Sequence, residues 1–289
     1  MVEDHDGGAS RTENGDGTTA NNAADSNAKP ASPPLLSVVV PAYNERVRIG
    51  AALTRIVAYL DETRPGDYEV LVVDDGSDDD TAGLVAHLAP DNPRLRVLRY
   101  TPNRGKGHAV RYGMLRAQGL YLLFCDADLA TPIEEVETLF RRMDDAHPIA
   151  IGSRDTPGAN LTRRQSPLRE AGGKLFNRCV QALAVPGIRD TQCGFKLFTR
   201  EAARDILSRC QVDNFSFDVE ILFLARRRGY GIAEVPVRWA HQEGSKVRFL
   251  RDGWRMLKTL WRIRTTDYGL EPRTAAASVA RGLPDLEER

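Results

Sequence analysis

The sequence predicts an α/β fold, a mostly parallel sheet flanked by helices on both faces. Two observations carry this. From Leu35 onward, short and almost uninterrupted apolar runs alternate with longer stretches of helical periodicity. Strands apolar on both faces belong to sheets sandwiched between helices. In addition, several of these runs end in turns rich in Asp, Asn and Gly. Ligands of open parallel sheets bind beyond the carboxyl ends of the strands, so those turns are where function is to be sought.

Taken in order, Ser37–Ala42 (SVVVPA) and Tyr68–Val73 (YEVLVV) read as buried strands. Arg94–Tyr100, Leu120–Cys125 and Ile149–Gly152 follow as three more. Helices are expected between them over Val47–Glu62, Asp79–Leu88, Lys106–Ala117 and Ile133–Ala146. After Arg154 the pattern changes. Thr156–Ser166 (TPGANLTRRQS) is polar and turn-rich and predicts a mobile loop. Leu168–Val185 reads as a helix, Gly194–Phe198 as a strand, and Arg200–Arg209 and Phe217–Arg228 as helices. Ile232–Val237 is a further strand and Phe249–Arg264 a last helix. The second half is therefore expected to complete one sheet within one domain, residues 35–270.

The chain of 289 residues carries 40 Lys and Arg against 40 Asp and Glu. That balance argues against a dedicated nucleic-acid binder, which needs a basic excess. Residues 1–34 hold two cations and six acids and no large apolar residue between Val2 and Leu35. Such a segment cannot bury enough surface to offset its ordering entropy, so it is expected to be a disordered tail. It lacks the apolar core of a secretory signal. Residues 271–289 are expected to form a second flexible tail. No apolar run approaches the roughly 20 residues of a membrane-spanning helix. The four cysteines follow no metal-binding spacing and read as reduced thiols, which favours a cytoplasmic setting. The five histidines are scattered and receive no catalytic role.

The chemistry gathers after the strands. The first ends in Pro41-Ala42-Tyr43-Asn44-Glu45, the second in Asp74-Asp75-Gly76-Ser77, and Leu120–Cys125 in Asp126-Ala127-Asp128. Acids at strand ends are often no more than solvated turn residues, but three such turns at one sheet edge argue for a site. Asp126 and Asp128 are two apart and, on an extended segment, project to the same side. Such hard oxygen donors suit Mg²⁺ or Mn²⁺, with a diphosphate completing the coordination. Asn103-Arg104-Gly105-Lys106-Gly107 opens a helix, where glycines let backbone N–H groups approach a phosphate and Lys106 adds charge. Neither a Walker A motif nor a GxGxxG after the first strand is present.

These four motifs together resemble the inverting GT-A glycosyltransferases of family 2, in which the DAD stands for the family's DxD. The resemblance covers Leu35 to about Leu270. It implies a GT-A, Rossmann-like fold, with the residues matching Pro41, Tyr43 and Glu45 lining a nucleotide pocket. By the same resemblance Asp75 contacts the base or ribose and Asp126 and Asp128 carry the metal on the diphosphate, while Asp74, Lys106 and Ala127 belong to the same nucleotide-sugar site. Gly152-Ser153-Arg154, the run Asp190-Thr191-Gln192-Cys193-Gly194-Phe195-Lys196, Phe217-Asp218-Val219-Glu220 and Gly244-Ser245-Lys246 look like the polyprenyl-phosphate branch. They are most similar to dolichyl-phosphate β-glucosyltransferases. This implies a donor of the UDP-glucose type rather than GDP-mannose, and a polyprenyl-phosphate lipid as acceptor.

A lipid monophosphate is already anionic and needs docking cations rather than a general base. Arg154 and Arg169 match arginines that take the acceptor phosphate in related enzymes, with Lys246 as a third. Where related enzymes can carry a serine one turn after the second arginine, this chain has Gly173, so that contact is not implied. A hydroxyl acceptor would instead need a base, for which Asp218, Glu220 or Asp190 are candidates. A catalytically silent nucleotide-sugar-binding module is the remaining rival. Finally, residues 249–264 place Phe249, Leu250, Trp254, Met256, Leu257, Leu260, Trp261 and Ile263 on one helical face and most of the cations on the other. This predicts an amphipathic interface helix, peripheral on the inner face of a membrane, unless its apolar face packs on the domain instead.

Overall fold

The computed structural model describes residues 32–163, 177–178, 180–241 and 258–271. Strands β1 (Leu36–Ala42), β2 (Tyr68–Asp74), β3 (Leu95–Arg99), β4 (Tyr121–Cys125) and β5 (Ile149–Ser153) alternate with helices α1 (Arg46–Thr63), α2 (Thr81–Leu88) and α3 (Lys106–Met114). After β4, a 3-10 turn (Ile133–Glu135) leads into the short α4 (Val136–Phe140). The second half adds β6 (Asn160–Arg163), β7 (Phe195–Thr199), α5 (Arg200–Leu207), α6 (Phe217–Arg227), β8 (Ile232–Pro236) and β9 (Arg238–Ala240). Seven strands form one sheet in the order β3-β2-β1-β4-β7-β5-β8, and β6 and β9 form a separate parallel pair.

Every pairing in the main sheet is parallel except those of β7, which runs antiparallel between β4 and β5. All residues of β1 and β2 are buried, and the strand period of two sends them alternately to two cores. Val39, Leu71 and Val73 face one core with α3, α5 and α6, while Val38, Val40, Val70 and Val72 face the other with α1. Pro41 sits inside β1 opposite Val73 of β2, but past Val39, the last residue that pairs with β4. Its missing N–H therefore breaks no ladder bond toward that neighbour. On α1, Ile49, Ala52, Leu53, Ile56 and Leu60 make one apolar stripe. The helix ends at Arg64, whose N–H reaches Leu60 O and whose guanidinium grips Glu137 of α4 at 2.6 and 2.9 Å.

The structure departs from expectation in three places. The helix expected over Ile133–Ala146 is a 3-10 turn followed by Val136–Phe140, after which Arg142 N–H and Met143 N–H turn to carbonyls three residues back, Leu139 O and Phe140 O, and Asp144 accepts His147 N–H in a separate turn. Within the expected loop 156–166, Asn160–Arg163 is a strand, paired to a partner some 75 residues away in sequence, which local composition cannot show. Helical residues 258–265 bury Leu260 and Ile263 in the core, at 2% and 0% exposure, leaving Trp261 outside at 67%. Over these residues the apolar face packs on the domain rather than on a membrane. Residues 249–257, with the rest of the expected interface face, lie outside the described residues, as do the tail to residue 31 and residues 272–289. Among the described residues no helix is long and apolar enough to cross a membrane.

Ile263→Ala is expected to cost about 2–5 kcal/mol as a core truncation, and Trp261→Ala to stay within about 0.5 kcal/mol. Urea unfolding of the two variants reads the difference, and the reverse order would contradict this packing.

Candidate functional site

The first two strand-end turns are stitched together by side-chain-to-backbone bonds. Asn44 N–H donates to Ser77 Oγ at 2.9 Å and Glu45 N–H to Thr81 Oγ1 at 2.9 Å. In return, Asp78 N–H donates to Asn44 Oδ1 at 2.9 Å. Asp79 accepts from Arg46 N–H and Thr81 N–H, joining the starts of α1 and α2. These bonds fix the backbone on which Tyr43 and Glu45 stand, and Glu45 holds Arg48 at 2.6 Å.

Asp74 and Asp75 are both buried. Asp74 accepts from Ser77 N–H and Oγ and pairs with Arg99 at 3.1 Å. Asp75 accepts Arg104 N–H at 2.7 Å on one oxygen, and Gly105 N–H at 2.8 Å and Asn103 Nδ2 at 2.7 Å on the other. Its carboxylate is thus engaged in holding the NRGKG loop. The glycines of that loop also serve a purpose different from the one expected. Gly107 N–H donates to Asp213 O at 2.8 Å, and a Cβ at Gly107 would lie 2.5 Å from Val212 O. Gly105 needs its glycine for a φ of 103° and for the approach of Asp213 O. The expectation that these N–H groups cradle a phosphate is corrected: they are spent on Asp75 and on the 210–214 segment.

Asp126 stands just past β4, and its N–H donates to Gly194 O at 3.1 Å. Lys106, at the start of α3, reaches Asp126 Oδ1 at 2.6 Å. Burial works to lower the Lys106 pKa, but the charges of Asp126 and Asp218 outweigh it and hold it above its ordinary value. Asp128 accepts Ala130 N–H at 3.0 Å, and burial, with the charge of Asp126 beside it, raises its pKa. The two carboxylates expected to act together do stand together. Their mutual repulsion fits a divalent cation, which would relieve it with the hard oxygen donors such ions prefer. Among the described residues there is no cluster of three His, Cys, Asp or Glu side chains, so protein ligands beyond this pair are not in evidence.

Arg154, at the end of β5, is clamped to buried Asp190 through Nε at 2.7 Å and Nη2 at 2.8 Å, with its guanidinium carbon 5.4 Å from the Trp239 ring centroid. Burial would raise the Asp190 pKa, but the Arg154 charge overrides it and holds it low. Glu234 receives Asp190 N–H at 2.7 Å and Ser153 Oγ at 2.8 Å, so the arginine rests on two layers of carboxylate. Arg154 is therefore less available to an anion than sequence alone suggests. Arg169 and Lys246 lie outside the described residues.

Asp218, at the start of α6, is buried and accepts from Lys196 Nζ at 2.5 Å. Burial raises its pKa against the pull of that ammonium. Glu220 accepts Gln211 N–H, Val212 N–H and Tyr268 OH, at 2.8–3.0 Å, and holds the 211–213 segment against the NRGKG loop. With its carboxylate so engaged, Glu220 is a structural anchor. Sequence reasoning had no role for Gly194 and Lys196 beyond their place in the DTQCGFK run. A Cβ at Gly194 would overlap the Asp126 carboxylate, a requirement visible only once β7 is seen beside β4.

A carboxylate pair, a lysine and two stitched loops at the carboxyl edge of this sheet define an enzyme of the nucleotide-sugar glycosyltransferase type. The model of "Glycosyl transferase family 2" matches residues 37–207, and the chain belongs to that family. Three relatives named dolichyl-phosphate beta-glucosyltransferase are similar over most of their length. That of Dictyostelium discoideum is 41% identical, spanning 82% of this chain and 76% of the relative. The human one is 38% identical over 78% of each, and that of Saccharomyces cerevisiae 36% identical over 80% and 74%. Among solved structures, glucosyl-3-phosphoglycerate synthase of Mycobacterium tuberculosis in complex with UDP superposes with a TM-score of 0.57. It is 19% identical and spans 82% of this chain and 81% of that one. Mannosyl-3-phosphoglycerate synthase of Rubrobacter xylanophilus gives 0.58 at 20% identity, over 80% and 72%. These likenesses show the GT-A fold.

Gly194→Ala must displace Asp126, and such a shift of about 1 Å is expected to lower turnover by about 100-fold. Loss of the fold rather than of turnover, read by circular dichroism, would contradict this account. Asp128 has a raised folded-state pKa, so ionising it opposes folding. Asp128→Asn is therefore expected to raise Tm at neutral pH without divalent cations, with the gain vanishing below the ordinary carboxylate range, about pH 4. A Tm equal to or below wild type at pH 7 would count against the repulsion described.

Proposed function

We propose that the enzyme transfers glucose from UDP-glucose to a polyprenyl phosphate of the dolichyl type, with inversion at the anomeric carbon. The observation that carries the reading is the pair Asp126 and Asp128 with Lys106 on Asp126, within the residues that the family model matches. Asp126 and Asp128 would hold Mg²⁺ or Mn²⁺, which supplies counter-charge to the diphosphate. Lys106 adds a second positive charge there. Pro41, Tyr43 and Glu45 would line the nucleotide pocket, with Asp74 and Asp75 beside them at the end of β2.

A phosphate oxygen of the acceptor attacks the anomeric carbon from the face opposite the departing group. The bond from that carbon to the diphosphate oxygen breaks, and its electron pair leaves with UDP. An already ionised acceptor needs no base, which agrees with Asp218 and Glu220 being held by other groups. Arg154, held to Asp190 through Nε and Nη2, would dock the acceptor phosphate together with Arg169 and Lys246. Exposed Trp261 beside Lys258, Arg262 and Arg264, all exposed, suits peripheral contact with an anionic cytoplasmic membrane surface.

Incubation with Mg²⁺, a short polyprenyl phosphate and radiolabelled UDP-glucose should place label in the organic phase, while GDP-mannose should place none. EDTA should abolish transfer, and Asp126→Ala or Asp128→Ala should reduce it at least about 100-fold while the fold persists. Label from GDP-mannose alone would move the donor to mannose, and label only on a hydroxyl acceptor would return Asp218 to the role of base.

A further inference from the structure

Lys196 touches neither the donor edge nor the acceptor side, yet it is a lysine with no exposed surface in the middle of the sheet. Lysines are almost never buried completely unless paired. Its register partners are Phe124 of β4 and Ile151 of β5. Nζ donates to Asp218 Oδ1 at 2.5 Å and to Cys193 O at 2.6 Å, and stands 5.2 Å from the Phe124 ring centroid. The Phe217 ring centroid is 5.7 Å from that of Phe124, and Lys106 Nζ is 5.9 Å from the Phe217 centroid.

Four charges thus alternate through the interior: Asp126, Lys106, Asp218 and Lys196. The outer pairs are in contact, Lys106 with Asp126 and Lys196 with Asp218. The middle members, joined by Phe217 next to Asp218 in the chain, act on each other as well, the Asp218 charge on Lys106 and the Lys106 charge on Asp218. Lys106 therefore answers to two carboxylates, and which one holds it depends on how well Asp218 is satisfied elsewhere.

We propose that Lys196 is a positioning residue that, by satisfying Asp218, leaves Lys106 at Asp126 and in reach of the donor diphosphate. Without the Lys196 ammonium, Asp218 becomes a buried carboxylate whose remaining cation is Lys106, and it draws Lys106 inward. This rests on the reading of the donor as a nucleoside diphosphate sugar. It also assigns Asp218 a task, since a carboxylate with an ammonium on Oδ1 at 2.5 Å serves as a fixed charge in the interior.

The test is UDP binding by calorimetry in Mg²⁺, with Tm measured for every variant. K196M is expected to raise the Kd for UDP about tenfold. K196M/D218N, which leaves no unpaired buried charge, should return to within about threefold of wild type. In a K106M background, K196M should have no further effect, because its action passes through Lys106. K196Q keeps a hydrogen bond to Asp218 without the charge and is read in the same way if K196M does not fold. Wild-type affinity in a folded K196M or K196Q would overturn the proposal, as would an undiminished effect in the K106M background. Failure of the wild-type protein to bind UDP would instead defeat the donor reading, and the role of Lys196 with it.

Discussion

The constraint on which the structure depends is the collection of negative charge at one edge of one sheet. Asp74, Asp75, Asp126 and Asp128 lie at or just past strand ends, with Asp190 in the segment before β7 and Asp218 at the start of α6, all buried or half-buried. An ionised carboxylate removed from water is costly unless it is paired or hydrogen-bonded. Each is answered by a different device. Arg99 and Ser77 serve Asp74, and the backbone of the NRGKG loop serves Asp75. Lys106 serves Asp126, Arg154 serves Asp190, and Lys196 serves Asp218. Asp128 accepts a single backbone N–H, that of Ala130, and burial first, then the charge of Asp126, raises its pKa. Asp218 is raised as well, chiefly by burial, so the compensation of charge is incomplete at both places.

The reversed strand β7 is what lets the interior take part in this compensation. Running antiparallel between β4 and β5, it sets Gly194 against the Asp126 carboxylate and Lys196 beside Phe124. A parallel crossover at that place would have put a helix start, rather than Gly194 and Lys196, next to the end of β4. The same geometry explains why the DTQCGFK run reads as a unit. Asp190 holds Arg154, Gly194 clears space for Asp126, and Lys196 neutralises Asp218, three tasks from seven consecutive residues.

Much of this was legible in the sequence because strand ends and helix starts obey local rules. The apolar runs of β1, β2 and β4, the acids after them and a helix over most of α1 were visible in the sequence alone. What remained hidden depends on non-local pairing. The β6–β9 pair joins Asn160–Arg163 to Arg238–Ala240, and no local pattern in the polar first segment announces it. The wheel of residues 249–264 showed an apolar face but not what covers it, and Leu260 and Ile263 turn out to be covered by the domain itself. The glycines of NRGKG looked like a phosphate cradle because that use and a close backbone approach share one signature. Only the contact with Val212 and Asp213 tells them apart.

The state of Asp218 bears most directly on what kind of acceptor suits this enzyme. A general base for a hydroxyl must keep a lone pair directed at the nucleophile and must give up its proton afterwards. Asp218 is 3% exposed, with Lys196 on Oδ1, and Glu220 is wholly buried among two backbone N–H groups and Tyr268. Asp190 is bound in two places by Arg154. Each of the three carboxylates in the second half that could serve as a base is therefore committed to a structural partner. An acceptor that arrives already ionised removes the need for any of them, and a phosphate does so at neutral pH.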